Sequence, residues 1–180
     1  MRVITGTARG AKLTAPEGYE TRPTTEKVKE ALFSAIQFDI EGRRVLDLFA
    51  GSGQLGIEAL SRGAESAVFI DNGNNAVEII KRNLKSAKLE QKATVFKTDY
   101  TMFLQSTDLT FDIVFLDPPY KANQMINAIN TVNNRLSDYG MIICEHSTNE
   151  KLPEEIQNLS IFKTYKYGKT GITVYKRKKD

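Results

Sequence analysis

Val45-Leu46-Asp47-Leu48-Phe49-Ala50-Gly51-Ser52-Gly53-Gln54-Leu55-Gly56 carries an apolar, strand-like run into three glycines at the point where the chain turns into a helix. Glycines at such a turn let the backbone N–H groups of a helix N-terminus approach a ligand closely. From residue 43 onward the chain alternates. Strand-like runs fall at about 44–49, 66–71, 93–98, 111–116 and 139–145, with helix-like segments between them at about 54–61, 74–87, 100–105 and 122–135. Near-continuous apolar strands alternating with helices predict a parallel sheet covered on both faces. After residue 160 the pattern changes: Ile161–Tyr167 and Ile172–Lys176, joined by Gly168-Lys169-Thr170-Gly171, read as a hairpin that makes one edge antiparallel. The expected fold class is therefore α/β, a Rossmann-like, doubly wound, mostly parallel seven-stranded sheet with an antiparallel C-terminal hairpin.

Upstream of the sheet, residues 3 to 15 carry Val3, Ile4, Leu13 and two glycines and read as a short basic β-hairpin. Arg22-Pro23-Thr24-Thr25-Glu26 is a helix start with a hydroxyl cap and an acid in the first turn, followed by Val28, Ala31, Leu32, Ala35 and Ile36 at helical spacing. The reading is one domain over residues 1–180, with a hairpin extension at 1–22 and a catalytic core at 23–180.

The fourth predicted strand, Phe111–Leu116, ends in Asp117-Pro118-Pro119-Tyr120. Two prolines are a poor way to continue a sheet, because proline donates no N–H and restricts the residue before it. The group instead offers a carboxylate, a backbone carbonyl and a flat phenol, a set suited to holding a planar base by its exocyclic amine. Asp47, Asp71, Asp99 and Asp117 all fall at the carboxyl ends of successive strands, where open α/β sheets bind ligands. Gly51 to Gly56 also satisfies the dinucleotide pattern G-x-G-x-x-G. Three features turn it from a nicotinamide cofactor: Asp47 would repel a pyrophosphate, no second catalytic domain follows, and residues 117 to 120 have no role in hydride transfer. A carboxylate at that place can accept from the amino group of a zwitterionic amino acid, which fits S-adenosylmethionine. Asp71 is placed for ribose hydroxyls and Asp99 for the adenine amine.

The charge is uneven. The net +3 divides into 6 basic and 4 acidic residues over 1–30, 12 and 17 over 31–162, and 7 and 1 over 163–180. Positive ends around a negative middle point to a polyanionic partner. Arg2, Arg9, Lys12, Arg22, Thr24, Lys169 and Lys176 are the candidates for contact with that polyanion. The single cysteine, Cys144, lies in an apolar run and reads as a buried hydrophobe of a reducing compartment. His146, the one histidine, reads as structural, and no metal site is expected. No apolar stretch reaches the ~20 residues of a membrane span, and a cytoplasmic protein is expected.

Asp47-Leu48-Phe49-Ala50-Gly51-Ser52-Gly53, Asp117-Pro118-Pro119-Tyr120, the Arg22-Pro23-Thr24-Thr25 helix start and the Tyr167-Gly168-Lys169-Thr170-Gly171 turn together resemble the RsmD family. Its members are class I, S-adenosylmethionine-dependent methyltransferases acting on N2 of a guanine in 16S ribosomal RNA. The resemblance implies that Asp47, Phe49, Ala50, Gly51, Ser52, Gly53, Gly56, Asp71, Asn72 and Asp99 surround the cofactor. It also implies that Asp117, Pro118, Pro119 and Tyr120 hold the base, with ribosomal RNA or an assembling small subunit as partner of a monomeric enzyme. Gln54 stands where relatives usually have a smaller residue. Competing readings are an adenine-N6 methyltransferase on RNA or DNA, a non-catalytic RNA-binding assembly factor, and a nicotinamide-dependent oxidoreductase resting on the glycine loop alone.

Overall fold

The computed structural model describes residues 1–17, 24–119 and 122–178. Five strands run parallel: β1 (Arg44–Asp47), β2 (Ser66–Asp71), β3 (Ala93–Lys97), β4 (Phe111–Leu116) and β5 (Leu136–Ser147). Three more, β6 (Glu155–Ile156), β7 (Leu159–Tyr167) and β8 (Thr170–Arg177), complete the sheet in the order β3-β2-β1-β4-β5-β8-β7-β6. β8 lies between β5 and β7 and is antiparallel to both. The sheet thus has eight strands where seven were expected. The extra one is β6, whose two residues pair with the start of β7 and are too short to leave a periodic pattern.

The crossovers are α2 (Gln54–Ser61), α3 (Asn74–Ala87), α4 (Tyr100–Ser106) and α5 (Ala122–Val132), preceded by α1 (Glu26–Ala35). Alternate residues of each strand face opposite layers. Val45, Phe69, Ile113, Phe115 and Ile143 join one core with Leu32, Phe33 and Ile57, whereas Leu46, Val68, Val114, Ile142 and Cys144 join a second with Phe103, Met125 and Ile129. Asp47, Asp117 and Glu145 continue the first set by parity. α1 starts as its sequence dictates: the Thr25 hydroxyl accepts from the Val28 N–H at 3.3 Å.

All eight residues of α2 are buried. The sheet covers one side and the N-terminal segment the other. That segment doubles back on itself, with an antiparallel bridge between Arg2 and Lys12 and with the Val3, Gly10 and Leu13 N–H groups donating to the Ala11, Val3 and Met1 carbonyls at 3.0, 2.9 and 2.9 Å. Its other polar groups bond across to α2: Glu58 accepts from the Ile4 and Thr5 N–H groups at 2.9 and 3.0 Å, and the Ser61 hydroxyl donates to the Thr5 carbonyl at 2.6 Å. Lys29 and Arg62 complete the cluster as ion-pair partners of Glu58, with the Lys29 and Glu58 side chains fully buried. Among the described residues no helix is long and apolar enough to cross a membrane.

Candidate active site

From β1 the chain winds outward through β2 and β3, then returns across β1 to β4, so a crevice opens at the carboxyl ends of β1 and β4. A cavity of about 450 Å³ occupies it. One half is walled by Asp47, Phe49, Ala50, Gly51, Ser52, Asp71, Asn72 and Asp99, and the other by Asp117, Pro118, Pro119, Glu145, His146 and Lys169. The structure therefore brings the glycine loop and the Asp-Pro-Pro segment to one hollow. Tyr120 and Arg22 lie outside the described residues.

The acids in the first half are held by backbone donors. Asp71 accepts from the Gly51 N–H at 3.0 Å and the Gly73 N–H at 2.9 Å, tying the first two loops together. Asp99 caps α4, one carboxylate oxygen accepting from Thr101 and Met102. Asp47 accepts from the Gly56 N–H at 2.9 Å and is almost fully enclosed. Burial drives its pKa up to about 7, against the Gly56 bond, with the Asp71 carboxylate adding to the rise. The Phe49 and Tyr100 rings, 5.1 Å apart, form an aromatic patch beside these acids.

The three glycines do different work. Gly51 has φ +56° and open space where a Cβ would be, so only hydrogen meets the ligand side of the loop. Gly53 (φ +75°) caps α2 and packs toward Ile80, and a Cβ on Gly56 would stand 2.4 Å from the Phe69 ring. Neither Gly53 nor Gly56 lines the cavity. Both shape the loop from behind it, and the Gly56 N–H holds the Asp47 carboxylate.

Of the lining residues not assigned to the site from the sequence, two, Gln54 and Glu145, add acceptors beside its acids. The Gln54 side-chain carbonyl is, among the described residues, the one buried side-chain polar atom without a hydrogen-bond partner. An orphaned acceptor beside Asp47, Asp71 and Asp99 makes this half of the hollow rich in acceptors, suited to a ligand rich in donors and positive charge. Glu145 is the other. Leu116 pairs with Cys144, so Asp117 and Glu145 stand side by side just beyond the last paired residues of β4 and β5. Asp117 is open to the hollow, yet protein closes in around it. That loss of water, with the Glu145 and Asp47 carboxylates nearby, raises its pKa well above the usual range. Burial raises Glu145 likewise, against a hydrogen bond from the Thr24 hydroxyl at 2.5 Å.

The basic residues divide. Lys169, exposed on the β7–β8 turn, borders the cavity, and Arg9 and Lys12 are exposed on the N-terminal segment. Arg2 is exposed and pairs with Glu26 at 3.3 Å. Thr24 is buried at the cavity wall and its hydroxyl donates to Glu145. Lys176 stands away from the rim of the hollow. It pairs in register with Met141, six residues along β8 from Thr170, roughly 20 Å from the rim, with its ammonium 4.1 Å over the Phe162 ring. Both ring nitrogens of His146 are engaged: Nδ1 lies 2.9 Å from the Ser147 carbonyl and Nε2 2.8 Å from the Thr173 hydroxyl.

The family model described as "Conserved hypothetical protein 95" matches residues 1–176. YlbH of Bacillus subtilis, whose name proposes an rRNA methyltransferase, is 42% identical over 99% of this chain and 100% of its own. Ribosomal RNA small subunit methyltransferase D of Escherichia coli is 34% identical over 98% of this chain and 90% of its own. Among solved structures, yhhF from Escherichia coli, described as a proposed methyltransferase, superposes with a TM-score of 0.89 at 31% identity, covering 100% of this chain and 99% of that one. The fold alone is shared, at 16% identity and a TM-score of 0.70 over 83% of this chain and 48% of that one, with a methyltransferase described in complex with SAH.

Proposed function

Since the chain belongs to the family described as conserved hypothetical protein 95, the RsmD family, we propose that it is an S-adenosylmethionine-dependent RNA methyltransferase modifying N2 of a guanine in 16S ribosomal RNA. It works in the cytoplasm as a monomer, on the RNA or the assembling small subunit. The observation that carries this reading is the meeting, in one hollow, of an acceptor-lined half with the Asp117-Pro118-Pro119 half.

The residues present fit the cofactor. Asp47 and the orphaned Gln54 carbonyl would hold its ammonium group, Asp71 its ribose hydroxyls and Asp99 its adenine amine. When bound, the cofactor supplies an electrophilic sulfonium methyl, and the electrons of the broken S–C bond remain with sulfur. What this chain must do is position and repolarise the acceptor. An exocyclic guanine amine is a weak nucleophile because its lone pair is delocalised into the ring. Asp117 and the Pro118 carbonyl accept its two N–H groups, draw the nitrogen toward tetrahedral geometry and free the lone pair, and Asp117 takes the proton released once the N–C bond has formed. Tyr120 stacks on the base. A guanine paired in a helix cannot offer this edge, so it enters from a loop or is flipped out.

The test is methyl transfer from labelled S-adenosylmethionine to small-subunit RNA and to small-subunit particles, followed by nucleoside analysis. Label in N2-methylguanosine is expected. Asp117→Asn should lower kcat about 100- to 1,000-fold while leaving cofactor affinity within about twofold. Label in N6-methyladenosine, or full turnover by Asp117→Asn, would reject the assignment.

A further inference from the structure

Resting on that reading, we infer that Glu145 is the residue that selects guanine, its carboxylate accepting the N1–H of the base while Asp117 and the Pro118 carbonyl hold the adjacent N2 amine. The geometry is that of neighbouring parallel strands. Asp117 and Glu145 follow the paired Leu116 and Cys144, and adjacent strands lie about 4.8 Å apart. Their side chains leave the same face of the sheet, and both line the cavity. The spacing suits the Watson–Crick edge of guanine, on which the N1 and N2 donors are adjacent atoms of one planar edge. Adenine offers a donor at N6 and an acceptor at N1, so a carboxylate facing N1 repels it.

Glu145 is built for the task. The Thr24 hydroxyl donates to Oε2 at 2.5 Å and fixes the rotamer, while Oε1 has no hydrogen-bond partner among the described residues and is not sealed from the cavity. His146, the other polar neighbour on the strand, is taken by Ser147 and Thr173 and so does not compete for that oxygen. Two carboxylates at this spacing repel one another, an arrangement that costs stability in the empty site. A ligand edge with adjacent donors relieves it, and Thr24, Asp117 and Glu145 then act as one reading device.

The experiment compares guanine with 2-aminopurine, which keeps the N2 amine but has an acceptor at N1. The methylated guanine is first located in small-subunit RNA with the wild-type enzyme, and RNA carrying 2-aminopurine at that position is made by ligation. Wild-type enzyme should methylate guanine at least about 100-fold faster than 2-aminopurine, the range for a lost hydrogen bond to a charged group. Glu145→Gln should lose about 100-fold on guanine, collapse the preference to within about threefold, and keep its affinity for S-adenosylmethionine. Thr24→Val, which leaves the carboxylate in place but unheld, should lose about tenfold on guanine and narrow the preference in the same direction. Equal rates on the two bases with wild-type enzyme, or an unchanged ratio in Glu145→Gln, would overturn the role of Glu145 and leave N2 methylation standing. Label on adenine in the first step would overturn both.

Discussion

Asp47 is a carboxyl whose ordinary ionisation near 3.8 is moved to about 7 by enclosure under the glycine loop. Between those two values the folded chain holds more protons than the unfolded one, so this residue's contribution is complete below about pH 4 and is lost as pH rises through about 7. Asp47→Asn keeps an acceptor for the Gly56 N–H and removes the charge. The variant should therefore match the wild type at pH 4 and exceed it at pH 8 by up to roughly 4 kcal/mol, read from denaturant midpoints. Its affinity for S-adenosylmethionine should fall. Asp117 has the opposite demand, since it must be ionised to accept a proton. With Glu145 and Asp47 raising it, the acid limb of the pH–rate profile should lie above the ordinary carboxylate range near 4. Much at this scale was legible, because a strand ending in an acid and two prolines announces a ligand. Glu145 was not legible: at the end of an apolar run it looks like any strand terminus, and only the register of β4 against β5 reveals its neighbour.

α2 is an element whose environment cannot be read from its own residues. Its eight residues are buried on all sides because the N-terminal segment crosses over it, and Glu58 is the tether. Glu58→Ala should cost about 3–5 kcal/mol, since it strands the Lys29 ammonium in a place where burial already depresses its pKa. Hydrogen exchange should show the Ile4 and Thr5 amides losing protection in that variant. Gly56→Ala should cost about 1–3 kcal/mol by driving a methyl into Phe69. The alternation from residue 43 placed the five parallel strands and their helices because each had a whole element's worth of periodicity to show. The N-terminal arms pair with each other as their pattern suggests, but nothing in residues 1 to 13 shows that their remaining polar groups bond across to α2. Lys29 lies amid Val28, Leu32 and Phe33, and its ion-pair partner Glu58 is 29 residues away, beyond the reach of local pattern.

At the scale of the whole molecule, the charge division acquires a direction. The positive C-terminal hairpin places Lys169 at the mouth of a hollow lined by acids, while Arg9 and Lys12 stand exposed on the N-terminal segment. RNA binding should weaken steeply with salt, and Lys169→Ala should reduce the slope of log K against log salt by about 0.7–0.9 while leaving free-cofactor affinity unchanged. Lys176→Ala should not change that slope, which filter binding across a salt series would reveal.

The insertion of β8 between β5 and β7 gives this molecule a chronology. β5, which carries Glu145, has β4 on one side and nothing on the other until residues 170–177 arrive to zip against it. A nascent chain halted before Thr170 would show a twelve-residue edge open to any other strand, a template for aggregation. The same halted chain would lack the register that steadies Glu145 and His146. On the proposed mechanism, chains halted there would lack methyl-transfer activity.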